Sequence, residues 1–365
     1  APGSSRGKGV SMILTEQALI DEILASSLDL LRFEAGTRAR VLDMLERLRR
    51  ELTATLAKHD LTKFNKARTT ALLKEATTVI DKYYAQAQGV LEQSMSAAAQ
   101  AASRHAASAL TEPMLLINVA VGLPTRTFME RLASNVLIMG ASSAEWWGRQ
   151  AADTAFKFSN ALRQGLLAGE TNEQIVRRVT GTKLSPGIMR ATKYNARALV
   201  HSSIQAVSAA ARRETYAKNS DVVKGIRQHS TFDGHTTPLC IAYSGQEWDI
   251  FTLEPLPGSH LPYNGGVPRH WSCRSAEVPI LKTFREMGLD MDEPAVGTRA
   301  SSEGQIKADT DFAAWLGRRT EAQQDEQLGK GRAQMWRDGT ITLEQLLDLS
   351  GNPMNLSQLT KKYGG

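Results

Sequence analysis

Residues 41–56 read VLDMLERLRRELTATL. Val41, Leu45, Leu48, Leu52 and Leu56 recur at intervals of three and four, with arginine and glutamate between them. That spacing lays one apolar stripe along a helix, and the stripe needs a partner. Upstream, the helical pattern extends back to Thr15. Downstream, a second long helix is expected from about Lys66 to Leu110. It opens with Leu72, Leu73, Val79, Ile80 and Tyr83, then turns almost wholly to alanine and serine between Ser94 and Ala109. Alanine is the best helix former, and small side chains let a helix lie close against its neighbours. Glu112-Pro113 should stop it. A third amphipathic stretch starts at Trp146 and Trp147, continues through Phe156, Phe158, Leu162 and Leu166, and ends at Gly169. Thr171-Asn-Glu-Gln174 has the capping-box pattern that begins a short helix to about Val179. Ser185-Pro186 then opens a helix to about Asn219, with Ala196, Leu199, Val200, Ile204 and Val207 on one side.

The character changes at Asp221. Val222 to Thr231 alternates roughly and predicts a strand, with Ala276 to Leu281 as a returning strand. Beyond Pro294 short helical pieces are expected at Asp311–Gly317, Gln323–Leu328, Gly331–Arg337 and Leu343–Leu349. The expected fold is therefore mainly α with a small α+β domain: long N-terminal helices, a compact loop-rich core holding the Cys and His residues, few short strands, and short C-terminal helices. The divisions read as a flexible arm at 1–11, an all-helical region at 12–184, a core domain at 185–293 and a short-helix tail at 294–365.

The chain has 365 residues, 42% of them apolar and 22% charged, with two cysteines. Two cysteines exclude a disulfide-built scaffold. No apolar run is long enough for a transmembrane anchor, and the start, Ala1-Pro-Gly-Ser-Ser-Arg, lacks the apolar stretch of a signal peptide. Lysine and arginine total 44 against 38 acidic residues, a net charge of +6. The excess is uneven: residues 151–230 carry 13 basic and 5 acidic groups, whereas 231–300 carry 5 and 9. Arg190, Lys193, Arg197, Arg212 and Arg213 therefore form a candidate face for nucleic-acid phosphates or an acidic partner protein. A merely solvated helix face is the plain alternative.

Both cysteines and His235, His260 and His270 fall between residues 233 and 273. His270-x-x-Cys273 is a chelating spacing, because one tight turn aims both ligands at one ion. Cys240 adds a second thiolate, and Asp233 or His235 a fourth ligand. Thiolate with imidazole favours zinc in a tetrahedral site. The alternatives are a disulfide, or free cysteines beside a hydrogen-bonded histidine. An enzyme reading takes Asp233, His270 and Cys273 as a metal-dependent nuclease that activates water. The chain has no Gly-x-Ser-x-Gly elbow, no phosphate loop and no further acid–base constellation, so no small-molecule substrate is expected.

The run TFDGHTTPLCIAYSGQEWD at 231–249, followed by LPYNGGVPRHWSCRS at 261–275, resembles the core signature of the Mu F-like phage head morphogenesis family. The matching positions are Asp233, His235, Thr236, Cys240, Gly245, Pro268, His270, Cys273 and Arg274. Trp315-Leu316, Leu328-Gly329, Arg332 and Leu343 resemble the tail of such proteins, so the likeness spans about residues 185–360. It implies a minor capsid protein made in the host cytoplasm, carried in several copies inside the head near the portal. Portal and other head proteins are the implied partners, with packaged double-stranded DNA close by. Two positions depart from the family pattern. Ser275 stands where a last cysteine is usual, and His235 where an arginine is. The loss of a thiolate favours a structural role for Arg274, whose rigid fork suits tying Asp233 to the loop.

Overall fold

In the computed structural model, which describes residues 16–59, 66–182, 186–290, 298–301, 304–307 and 311–364, two long helices lie side by side. They are α1 (Glu16–Ala57) and α2 (Lys66–Ala109). The flexible arm expected at 1–11 lies outside the described residues. All five stripe residues from Val41 to Leu56 are fully buried, and they pack with Leu72, Ala76, Ile80, Tyr84 and Leu91 of α2. The chain turns through α3 (Thr111–Leu116) and α4 (Arg126–Asn135) into α5 (Ser143–Leu167), then α6 (Asn172–Thr180) and α7 (Ile188–Lys218). The small residues Ala98, Ala99 and Ala102 are buried where α2 meets α7, which permits the close approach of the two helices.

Buried polar pairs fix how these helices register. Tyr84 Oη meets Thr154 Oγ1 at 2.7 Å, Thr37 Oγ1 donates to Ser94 Oγ at 3.0 Å, and Ser103 Oγ meets Thr215 Oγ1 at 2.8 Å. Sliding a helix would break these inter-helix contacts, although Thr37, Ser94 and Thr215 also donate to carbonyls of their own helices. The capping box at Thr171 and Gln174 is present, and Ser142 with Glu145 forms another at the start of α5. One expectation on α5 is corrected. Trp147, Phe158 and Leu162 turn inward, but Phe156 is 65% exposed. Two residues apart on a helix point to nearly opposite sides, so Phe156 and Phe158 cannot share a face.

An ion-paired cluster ties α1 to α7 at the surface: Glu46 accepts from Lys193 Nζ at 2.7 Å and from Arg49 at 2.5 Å. The Arg49 hydrogen bond, helped by Lys193, holds the Glu46 carboxyl down at about 2 despite some desolvation. A depressed carboxyl stabilises the fold above its unfolded value and loses that contribution as pH falls through the folded one. The stability difference between wild type and Glu46→Gln, about 0.5–1 kcal/mol for so exposed a pair, is therefore expected to be constant above pH 5. It should shrink between 4.5 and about 2. Urea melts across that range check it, and a difference unchanged down to pH 2.5 would contradict it.

After α7 comes β1 (Val223–His229), then α8 (Pro238–Tyr243), β2 (Glu247–Asp249) and β3 (Ala276–Leu281). The strands form an antiparallel sheet in the order β2-β1-β3, with Ile226 opposite both Trp248 and Pro279. Pro279 is accommodated because β3 is an edge strand. Gly225 is required in the centre of β1, since a Cβ there would lie 2.5 Å from the Trp248 carbonyl oxygen. The sheet shares a core with one end of the bundle: Leu19, Ile20 and Ile23 of α1, Ala106 of α2 and Tyr216 of α7 pack with Ile226, Trp248 and Val278.

The tail is not wholly helical. Thr298–Ser301 (β4) and Gly304–Lys307 (β5) pair as an antiparallel hairpin where only helical pieces were expected. These strands are four residues each and mostly polar, too short to show an alternation. Then follow α9 (Phe312–Leu316), α10 (Glu321–Leu328), α11 (Lys330–Arg337), a 3-10 turn (Glu344–Leu346) and α12 (Leu356–Tyr363). Phe312 and Trp315 stack on Phe232, and Leu328 and Leu346 pack near Ile241, which fastens the tail to the loop after β1. The architecture is mainly α with a small α+β part. No described helix is long and apolar enough to cross a membrane.

Candidate metal centre

β1 delivers the chain into a loop that ends at Thr237, the N-cap of α8, whose hydroxyl accepts the Cys240 amide at 3.3 Å. Cys240 therefore sits in the first turn of α8, buried. The second segment, Leu261 to Ser275, returns across it toward β3. A turn closed by Cys273 N donating to His270 O at 3.1 Å sets His270 and Cys273 side by side. Together the segments bring Cys240 Sγ to 3.6 Å from Cys273 Sγ and to 3.2 Å from His270 Nε2. The three ligand atoms all lie within 4.8 Å of one another. His270 Nδ1 faces the Trp271 carbonyl at 3.0 Å. A proton donated there leaves the Nε2 lone pair aimed at the sulfurs, the arrangement of a ligating histidine. Hydrogen bonds from Cys240, His270 and the Arg269 backbone pull the Cys273 thiol well below its ordinary value, while Cys240 is pushed up beside it.

The two proposed fourth ligands are elsewhere. Asp233 is held in a bidentate pair by Arg274, at 2.6 and 2.8 Å, and its Oδ1 also accepts from His235 N and Thr236 Oγ1. These bonds outweigh desolvation and lower the Asp233 carboxyl. Its lone pairs are committed, so it does not join the cluster. The His235 side chain is exposed and stands outside the cluster as well. Thr236 Oγ1 donates to the Thr231 carbonyl, and the Thr236 carbonyl accepts from Gln327 of α10. Gly245, at φ +87°, makes the turn from α8 into β2. Pro268 stands two residues before His270, next to Arg269, whose guanidinium lies 3.4 Å from the centre of the Tyr243 ring. Ser275 is buried against the sulfurs: its hydroxyl contacts Ser230 Oγ at 3.2 Å and hydrogen-bonds Cys240.

The helical bundle grips this loop from behind. His201 of α7 contacts Glu34 of α1 through Nδ1 at 3.1 Å and the Cys273 carbonyl through Nε2 at 2.9 Å. With acceptors facing both nitrogens, the setting favours a proton on each. Desolvation opposes the charge, but Glu34 and the Cys273 carbonyl outweigh it and raise the His201 pKa. Ser272 N also donates to Ser202 Oγ at 3.1 Å. A second relay lies beside it. Arg213 donates to Tyr263 Oη at 2.6 Å, Tyr263 donates to Glu277 Oε1 at 2.9 Å, and Val267 N donates to the same oxygen at 3.0 Å. Gly266, at φ +75°, is required there, because a Cβ would collide with Tyr263 and Glu277. His201, Glu34 and Glu277 stand out in the sequence by no motif; only an ionisable residue on an apolar helix face or strand marks them.

The basic face expected on α7 divides. Arg212 is 2% exposed and donates to Ser26 Oγ at 3.1 Å, and Arg213 is committed to Tyr263. Neither can meet a phosphate. The segment around them, Ala209 to Tyr216, is enclosed between α1, α2 and the sheet, so the charge count there recorded buried cations. Lys193 is half-buried against Glu46. Arg190 and Arg197 are exposed, and Tyr194 between them is 71% exposed on the same face. Compared with family models, with curated proteins and with solved structures, the chain has no match.

Proposed function

We propose that this chain is a phage minor head protein that associates with the portal region and acts in head morphogenesis. The observation that carries the reading is the signature from Asp233 to Arg274, whose members are spent on fastening: Arg274 closes on Asp233, and the Cys273 carbonyl takes His201 from the helical half. Such a knot suits a part that must hold its shape under assembly. The alternative, a metal-dependent nuclease using Asp233, His270 and Cys273, is less supported because Asp233 is paired with Arg274.

Deleting the gene from a phage that encodes the chain is expected to yield heads that are defective or non-infectious, restored by the gene in trans. Full infectivity without the protein would overturn the reading. Within it, the exposed stripe Arg190–Tyr194–Arg197 is the surface offered to packaged DNA. Changing both arginines to glutamine should weaken DNA binding and reduce the slope of log affinity against log salt by up to about 0.9 per phosphate contact. Arg213→Gln should leave that slope unchanged. Filter binding at several salt concentrations checks this, and equal slopes for all variants would contradict it.

A further inference from the structure

The cysteine–histidine cluster has the dimensions of one face of a metal tetrahedron. Zinc bonds sulfur at about 2.3 Å and imidazole nitrogen at about 2.0–2.1 Å, so tetrahedral geometry separates two sulfurs by about 3.8 Å and sulfur from nitrogen by about 3.6 Å. The observed separations are 3.6 Å between the sulfurs and 3.2 Å between Cys240 Sγ and His270 Nε2. These two edges lie within a few tenths of an ångström of that geometry, and all three ligand atoms lie within 4.8 Å of one another. We propose that Cys240, His270 and Cys273 bind one zinc ion, with a water in the fourth position.

Three independent features support this. Both sulfurs are buried, and soft thiolates with one imidazole select zinc over hard cations such as magnesium or calcium. His270 already has its outer nitrogen fixed on the Trp271 carbonyl, and the Cys273 carbonyl is fixed by His201, so the ligands are oriented from a second layer. His270 and Thr237 line a groove of about 290 Å³ together with Pro238, Leu239, Arg332 and Met354, which supplies a path for the ion and room for the water. Thr237 Oγ1, 3.1 Å from His270 Nε2, is placed to hydrogen-bond that water. In the bound state both cysteines are thiolates, and any thiol proton still present is released. Two thiolates and a neutral imidazole then surround the dication, and the site is electrically neutral. The ion would join α8 to the loop before β3. The proposal stands apart from the head-protein reading, since it concerns only what holds these segments together.

The test uses the full chain purified without an affinity metal. Elemental analysis should find about one zinc per chain, and cobalt(II) substitution should give the intense ligand-field bands of a tetrahedral site with thiolate-to-cobalt charge transfer. Cys273→Ser and His270→Gln should lower zinc content at least about tenfold, while His260→Gln, at an exposed pair with Glu344, should retain it. The wild-type measurements do not depend on any variant folding. Absence of zinc and of the cobalt spectrum in wild type overturns the proposal, as does a thiol assay in denaturant that finds both cysteines joined in a disulfide.

Discussion

Truncating Glu277 to alanine is expected to lower the free energy of unfolding by about 3–5 kcal/mol, the usual cost of removing one partner from a buried charge network. Glu277 is completely enclosed, and burial pushes its carboxyl up while Arg213, the Val267 amide and Tyr263 pull it back. Arg213 and Arg269 are the cations closest to it in charge, and both are largely buried. Without the carboxylate, Tyr263 and the Val267 amide lose their acceptor and the guanidinium charges lose their counterion. Glu277→Gln keeps an acceptor oxygen but no charge, so its loss should be smaller, about 1–3 kcal/mol. Tyr263→Phe removes the hydroxyl that links Arg213 to Glu277 but leaves the carboxylate with the Val267 amide, and should cost less than Glu277→Ala. Urea unfolding followed by tryptophan fluorescence orders the three. Equal stability of Glu277→Ala and wild type would show that the relay does not hold the sheet to α7.

The second large effect is expected at Glu34. Its side chain is almost fully buried and accepts from Arg38 Nη1 at 2.9 Å as well as from His201. Glu34→Ala takes the carboxylate from the enclosed His201 and from Arg38; desolvation then favours the neutral imidazole, which can still donate to the Cys273 carbonyl, and the loss should be about 1–3 kcal/mol. His201→Ala frees that carbonyl and should also be costly. Because the two residues act as one link, the double variant should cost less than the sum of the singles, with a coupling of about 0.5–3 kcal/mol. Additivity within about 0.3–0.5 kcal/mol would mean that the bundle and the loop are not joined through this pair.

Much of the helical architecture was legible in the sequence because local periodicity records it. The stripe from Val41 to Leu56, the capping box at Thr171 and the strand pair at Val223–His229 and Ala276–Leu281 all rest on contacts between near neighbours or on strand alternation. Some short elements escaped: β2, the β4–β5 hairpin, α8 and α12 show no period, although α9, α10 and α11 of similar length were marked by their apolar residues. At the site, His270-x-x-Cys273 is a local spacing, and it lies where the spacing places it, beside Cys240. Asp233 and His235 looked equally suitable as ligands because residue type does not reveal prior commitments, and Arg274 has taken the carboxylate. Arg212 and Arg213 show the same limit in charge counting. Ala206, Val207 and Ala209 to Ala211 surround the axis of α7 with apolar residues, the pattern of an enclosed helix. That pattern was available, and it outweighs the charge count. His201 and Glu34 lie 167 positions apart, and no spacing rule joins them.

The proposed head-protein role would set the helical arm and the α+β module inside a phage head. The most direct measurement is a reconstruction of purified phage particles computed without imposed icosahedral symmetry. The expected result is density for this chain inside the head at the portal vertex, in a small fixed number of copies, with the module around Cys240, His270 and Cys273 in contact with the portal or another head protein. Particles that lack the chain, or carry it spread evenly over the shell, would contradict it.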